Sequence, residues 1–273
     1  MKIIFSVLFL AIILACNARA QRLQQIWKSE EKLPVPESVL CDAKSKTLFV
    51  SLIDGDAAKK DGKGGIALLN LDGSLKNADW ISGLNAPKGM GKYKNVLYVA
   101  DVDKVLTIDI PKAKVISSIT IPNAVFLNDL TVDDKGNVYV SDTRTNKIHF
   151  IKNGKIELYL ENVTAANGLK YAGNELYVLA GTELIKFNSK KERSVIATRL
   201  EKSGDGLELL PDRNFIVSCW AGIIYHIKAD GTKTKILDVQ GKMNTADIGY
   251  DDKSKTLYVP TFNANSVIAY KLY

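Results

Sequence analysis

The chain has 273 residues, 46% hydrophobic and 25% charged, with a formal net charge of +7. That is ample for a full core in one large or two ordinary domains. The mild basic excess is spread along the chain, with no basic cluster interleaved with aromatics, which argues against nucleic acid as a partner.

Residues 1–20 of the opening stretch, MKIIFSVLFLAIILACNARAQ, read as an export signal: a basic start, an apolar run from Ile3 to Ala15, then small residues. The run is too short to cross a bilayer as a mature helix, so no transmembrane span is expected. Removing it takes away Lys2 and Arg19 and leaves about +5. Two processing routes stand open. Ala18-Arg19-Ala20 before Gln21 fits release of a soluble protein, periplasmic or secreted, and is favoured. The segment ILAC at 13–16 resembles a bacterial lipobox, which would anchor the chain through a lipidated Cys16, although Leu14 is unusual at its place in such a motif. Either route puts the mature domain, 21–273, outside the cytoplasm. Only Cys41 and Cys219 then remain, in strand-like contexts without metal spacing, and buried free thiols are expected rather than a disulfide.

Six pairs of β-branched or aromatic residues recur along the mature chain: Phe49-Val50, Tyr98-Val99, Tyr139-Val140, Tyr177-Val178, Ile216-Val217 and Tyr258-Val259. Their intervals are 49, 41, 38, 39 and 42 residues. Polar turns such as DDKGN (133–137) precede most of the pairs, and two further strand-like runs follow, with no helical period. Four short strands every forty residues or so, six times over, predict an all-β, six-bladed β-propeller forming one domain over 21–273. The sixth repeat ends at Tyr273 with three strands, and RLQQIW (22–27) is expected to supply its fourth and close the ring.

Ten to twelve residues before the anchor pairs stand Glu37, Lys88, Asn128, Asn167, Asp205 and Asp247, each directly ahead of an apolar strand. On strands converging on one axis these make a ring of oxygen donors with one ammonium. Crowded carboxylates and carboxamides need a cation or ordered water to hold them. Hard oxygens without thiolate or imidazole suit Ca²⁺ first, or Mg²⁺ or Mn²⁺, and not a structural zinc.

The Glu of repeat one, NDLTVDDKGNVYVSD in repeat three, NGL in repeat four and GDGLEL in repeat five together resemble the senescence-marker/gluconolactonase/luciferin-regenerating enzyme (regucalcin-like) family. The resemblance runs over the whole mature chain. It implies a divalent cation, Ca²⁺ or alternatively Mg²⁺, Mn²⁺ or Zn²⁺, held by Glu37, Asn167 and Asp205, with Asn128 touching either metal or substrate. This chain departs from the lactonase pattern in two places: PES stands where EGP is common, and Phe126 stands where a sugar-gripping arginine is found.

The chemistry that follows is metal-dependent hydrolysis of a small ester, a lactone above all, with Asp205 as the base that activates a metal-bound water. Lys88 is expected either to face a developing oxyanion or to form an ion pair with Asp247 or Glu37. Lys88, Asn128, Asp247, Trp220 and Arg144 are the candidate substrate contacts; Asp101, Asp142 and Phe262 are further wall residues placed by topology. His149 and His226, in third strands, are expected to be half-exposed and not catalytic. The link 52–65, the longest of its kind, is expected to be a solvated lid. The alternative function is a non-enzymatic monomeric propeller whose channel ion is structural and whose upper face binds a ligand or protein.

Overall fold

A computed structural model describes residues 21–30 and 32–273, so the expected signal, Cys16 included, lies outside the described residues. Twenty-four strands form six four-stranded antiparallel sheets arranged as the blades of a propeller. Blade 1 is β2 (Pro36–Asp42), β3 (Thr47–Leu52), β4 (Gly64–Asn70) and β5 (Leu75–Leu84). Blade 2 is β6 (Pro87–Tyr93), β7 (Val96–Asp101), β8 (Lys104–Asp109) and β9 (Lys114–Thr120). Blade 3 is β10 (Leu127–Val132), β11 (Val138–Asp142), β12 (Lys147–Lys152) and β13 (Lys155–Leu160). Blade 4 is β14 (Ala166–Ala172), β15 (Glu175–Ala180), β16 (Glu183–Phe187) and β17 (Arg193–Ala197). Blade 5 is β18 (Gly204–Leu209), β19 (Phe215–Cys219), β20 (Ile223–Ile227) and β21 (Lys233–Asp238). Blade 6 is β22 (Gly249–Asp251), β23 (Thr256–Pro260) and β24 (Val267–Leu272), completed by β1 (Leu23–Lys28).

Burial falls from hub to rim, and composition follows it. Every residue of β3, β11, β19 and β23 is buried, and these strands carry the repeated apolar pairs. The outer strands β9, β13 and β21 are largely exposed and rich in Lys, Ser, Thr and Glu. A sheet buried on both faces needs apolar residues on both sides of its strands; one at the rim needs only a few. The apolar residues gather into six seams, each between two neighbouring blades. The seam between blades 6 and 1, for example, packs Tyr258, Val267 and Ala269 against Val39, Val50 and Ala67. In the DDKGN turn, Gly136 adopts φ 85°, and a Cβ there would fall 2.8 Å from the Tyr93 ring of the preceding blade.

The ring closes as the sequence predicts. β1 pairs antiparallel with β24, from Leu23 opposite Leu272 to Lys28 opposite Ile268, with a bulge between Gln25 and Trp27. Trp27 then donates from Nε1 to the Leu71 carbonyl at 3.0 Å, and its ring centroid lies 5.9 Å from that of Tyr258. The first described strand is thus fastened both to the last strand and to blade 1. Trp27→Ala should lower the unfolding free energy by about 2–3 kcal/mol, read from urea denaturation, because a half-buried indole and its hydrogen bond are both lost.

Candidate functional site

The hub is built from one repeated backbone irregularity. In β2, β6, β10, β14 and β18 the register slips between Pro36 and Val39, Pro87 and Met90, Leu127 and Leu130, Ala166 and Leu169, and Gly204 and Leu207. Each slip frees two residues at the strand head: Glu37-Ser38, Lys88-Gly89, Asn128-Asp129, Asn167-Gly168 and Asp205-Gly206. Buried serines of the second strand satisfy part of the freed backbone. Ser51, Ser141 and Ser218 Oγ accept from the N–H of Ser38, Asp129 and Gly206 at 2.9, 3.0 and 2.8 Å.

Close approach explains the glycines. A Cβ on Gly89 would fall 2.2 Å from Asp129 Oδ1, and one on Gly206 would fall 2.5 Å from the Ile248 backbone nitrogen. Only a residue without a side chain lets these inner strands meet.

In blade 6 the sequence placement of Asp247 needs correction. Gly249 stands opposite Tyr258, where Thr131 stands opposite Tyr139 and Glu208 opposite Ile216. Counting back three residues, Ala246 is the equivalent of Glu37, Lys88, Asn128, Asn167 and Asp205. Asp247 lies one residue further on and is the equivalent of Asp129. The one-residue difference was invisible to spacing, because the turn before the anchor pair varies in length.

The upper layer therefore holds five polar heads. Lys88 is only 1% exposed, Asp205 4% and Glu37 5%. Lys88 Nζ donates to the Ala86 carbonyl at 3.0 Å and lies 4.4 Å from the Phe126 ring centroid, a cation–π distance. Asn167, the carboxamide ahead of a buried strand, donates from Nδ2 to Asp205 Oδ1 at 2.7 Å. Asn128 Nδ2 donates to Thr143 Oγ1 at 3.2 Å, and that hydroxyl passes its own proton to the Ala166 carbonyl at 2.7 Å. Glu37 Oε2 is buried without a hydrogen-bond partner among the described residues.

Burial dominates the electrostatics. It pushes Asp205 up to about 6, against the Asn167 hydrogen bond that lowers it. Burial and the Asp205 charge together hold Glu37 well above the usual carboxylate range, although Lys88 pulls it down. Burial brings Lys88 down to about 8, opposed by Glu37.

The lower layer was not foreseen apart from Asp247. Asp129 accepts from the backbone N–H groups of Leu130 and Leu169, each at 2.6 Å, and so stitches blade 3 to blade 4. Asp247 accepts from Ser38 Oγ, while backbone bonds between Asp247 and Glu37 (2.9 Å) and between Val39 and Asp247 (3.2 Å) join blade 6 to blade 1. Burial pushes Asp129 up to about 7. Burial, then repulsion from Asp129 and Glu37, holds Asp247 well above its ordinary value. The signal that could have revealed Asp129 is the ND dipeptide itself: a bulge presents two neighbouring residues to the hub, not one.

The remaining candidates divide between wall and scaffold. Arg144 is exposed, with its guanidinium 4.4 Å from the same Phe126 ring that Lys88 faces. Trp220 is 44% exposed and meets Phe262 edge-on at 5.5 Å. Asp101 and Asp142, expected as wall residues, are fully buried clamps instead. Asp101 accepts from the N–H groups of Asn85 and Ala86, and Asp142 from those of Val125 and Phe126, fixing the links that lead into their blades. His149 and His226 are buried, not half-exposed, and neither Nε2 has a partner among the described residues. Cys41 and Cys219 are free thiols that burial pushes up to about 12. Link 52–65 is largely exposed, but Ala57 packs on Ile53, Ala86 and Val102, and Lys60 pairs with Asp103.

Among the described residues, no three His, Cys, Asp or Glu side chains form a cluster able to hold a metal ion. Any cation at the hub would therefore depend on carboxamide oxygens beside two carboxylates. The unpartnered Glu37 Oε2, Asp205 and the carbonyl oxygens of Asn128 and Asn167 fit such a hard-oxygen set.

Comparison with known proteins defines the class by fold. The sequence matches no protein-family model and no curated protein. Solved structures do resemble it. A streptogramin B lyase matches with TM-score 0.66 and 13% identity, over 93% of this chain and 98% of that one. A catalytically inactive virginiamycin B lyase from Staphylococcus aureus with quinupristin matches with TM-score 0.66 and 14% identity, over 93% and 100%. A luciferin-regenerating enzyme matches with TM-score 0.64 and 14% identity, over 92% and 95%. At this identity the likeness is one of architecture.

The raised carboxyls give a pH prediction for metal-free protein. Each holds its proton more tightly folded than unfolded, so its contribution is fully present below about pH 4 and lost as pH rises through the folded values. For Asp205 and Asp129 those are about 6 and about 7. Lys88, at about 8, titrates largely above that window. The melting temperature in chelator should fall between about pH 5 and pH 8, and Asp247→Asn should flatten the slope.

Proposed function

We propose that the hub is the active site of an exported, metal-dependent hydrolase of small esters, lactones above all, related to the senescence-marker/gluconolactonase/luciferin-regenerating enzymes. The observation that carries this reading is the buried, unpartnered Glu37 Oε2 in one polar layer with Asp205, Asn128 and Asn167. The fold likeness to a luciferin-regenerating enzyme supports it. Glu37, Asn128, Asn167 and Asp205 would hold the cation, Ca²⁺ by donor type. Bound there, it would supply Lewis acidity toward the ester carbonyl and a lower pKa for attacking water.

The chain's own residues do the rest. Asp205, at about 6, is ionised at neutral pH and takes the proton of the attacking water. Asn167 Nδ2 holds Asp205 Oδ1, which leaves Oδ2 for that proton. Lys88, steadied by the Ala86 carbonyl and the Phe126 ring, sets its positive charge toward the oxyanion that forms as water adds to the carbonyl. The protonated Asp205 then returns the proton to the departing alkoxide as the ester bond breaks. Phe126 in place of a cationic grip favours an apolar ester over a sugar lactone.

A panel of lactones and aryl esters, assayed with Ca²⁺, Mg²⁺, Mn²⁺, Zn²⁺ or chelator, tests the proposal. Asp205→Asn should lower kcat about 10³-fold or more, and Lys88→Met about 10²-fold, both with little change in melting temperature. Turnover by Asp205→Asn at the wild-type rate, or full activity in chelator, would contradict it. The exposed Trp220, packed edge-on against the half-buried Phe262, favours a second reading, a non-catalytic ligand-binding propeller. In that case no ester turns over, yet ligand addition changes Trp220 fluorescence.

A further inference from the structure

A cavity of about 910 Å³ occupies the half of the channel opposite the upper mouth, reached from the turns that end the inner strands. That volume lies within the range of small-molecule sites. Its floor is the lower carboxyl layer, Asp129 and Asp247 with Ser38, and its rim includes Lys44 and Lys94.

The charges are ordered along its depth. Both oxygens of Asp129 are taken by backbone N–H groups. Asp247 is 9% exposed; its Oδ2 accepts from Ser38, and its Oδ1 takes no hydrogen bond from a described residue. On the wall, Lys92 pairs with Asp42 at 2.8 Å and Lys170 pairs with Glu208, so both lysines are neutralised. Lys44 and Lys94 are exposed and have no carboxylate partner among the described residues. The cavity therefore has one available carboxyl oxygen, a hydrogen-bond acceptor, at the bottom and two available ammonium groups at the top. Along β2 from Ser38 to Asp42 the depth is about 13 Å, at roughly 3.3 Å per residue.

The walls add a second feature. The inner strands are sheet edges, and β6 exchanges no backbone hydrogen bond with the inner strand of either neighbouring blade. Its unpaired main-chain groups can pair with an extended chain laid along the channel. A simple amine or carboxylate would use one end of the charge pattern and none of this edge.

We propose that this lower cavity binds an extended dipolar ligand of the short-peptide class, its ammonium inward on Asp247 and its carboxylate outward between Lys44 and Lys94. The site lies across the hub from the proposed ester site and does not depend on that activity. A tripeptide in extended form reaches about 10 Å of the roughly 13 Å depth, and the long Lys44 and Lys94 side chains at the rim can span the rest.

The test is isothermal titration of the full protein at neutral pH and low salt with triglycine, its N-acetyl form and its C-terminal amide. Triglycine should bind, and each blocked form should bind about tenfold more weakly, since each loses one charged end. In Asp247→Asn, triglycine and its N-acetyl form should become equal in affinity. The double variant Lys44→Glu with Lys94→Glu, at exposed positions, should lose triglycine binding while keeping its melting temperature within a few degrees. No triglycine binding at about 10 mM, or equal binding of all three peptides to wild type, overturns the proposal. So does unchanged triglycine affinity in the lysine double variant.

Discussion

Six sheet edges brought against one axis must find partners for more backbone and side-chain polar groups than the narrow hub can hydrate. That constraint governs the rest of the molecule. Outward, the blades wedge apart and apolar side chains fill the seams between them. Inward, room runs out, and the chain answers with glycines at Gly89, Gly168 and Gly206 and with a register slip at five of the six strand heads. The slip frees two residues in each of five blades, and the sequence fills those places with carboxylates, carboxamides and a lysine, together with Ser38 and three glycines. An apolar hub would leave the freed backbone unsatisfied.

The two layers made by the slip divide the work. The lower layer is largely structural: Asp129 caps the edge of blade 4, and Asp247 and Ser38 join blade 6 to blade 1. These seams lock the ring at two places, while β1 locks it at the rim. The upper layer is less satisfied. Glu37 keeps an unpartnered oxygen, and Asp205 has one hydrogen-bond donor beside it. Buried groups left short of partners at the head of a channel are costly to stability, and such cost is tolerated where a ligand repays it.

Much of this was legible in the sequence, for physical reasons. The apolar pairs are regular because each second strand is buried on both faces, and the closing strand was legible because the sixth repeat is one strand short. The five strand heads were legible because polar residues recur at the equivalent place, ten to twelve residues before the anchor pairs. Asp129 was hidden because a bulge cannot be read from alternation, and Asp247 was misplaced by one residue because the turn before the anchor pair varies in length. Asp101 and Asp142 looked like wall residues because they end strands near the upper mouth. Their burial as clamps depends on link conformation, which the sequence pattern does not encode. The histidines were judged by their place in third strands, away from the axis, yet both are buried.

The account rests on Glu37, Asn128, Asn167 and Asp205 sharing one divalent ion. Crystals grown with Mn²⁺, measured for anomalous scattering, test that directly. The account predicts one strong peak on the channel axis within about 2.5 Å of oxygens from these side chains, lost in Asp205→Asn crystals. A hub empty of anomalous density at millimolar Mn²⁺, with Lys88 turned into the space between Glu37 and Asp205, would contradict it.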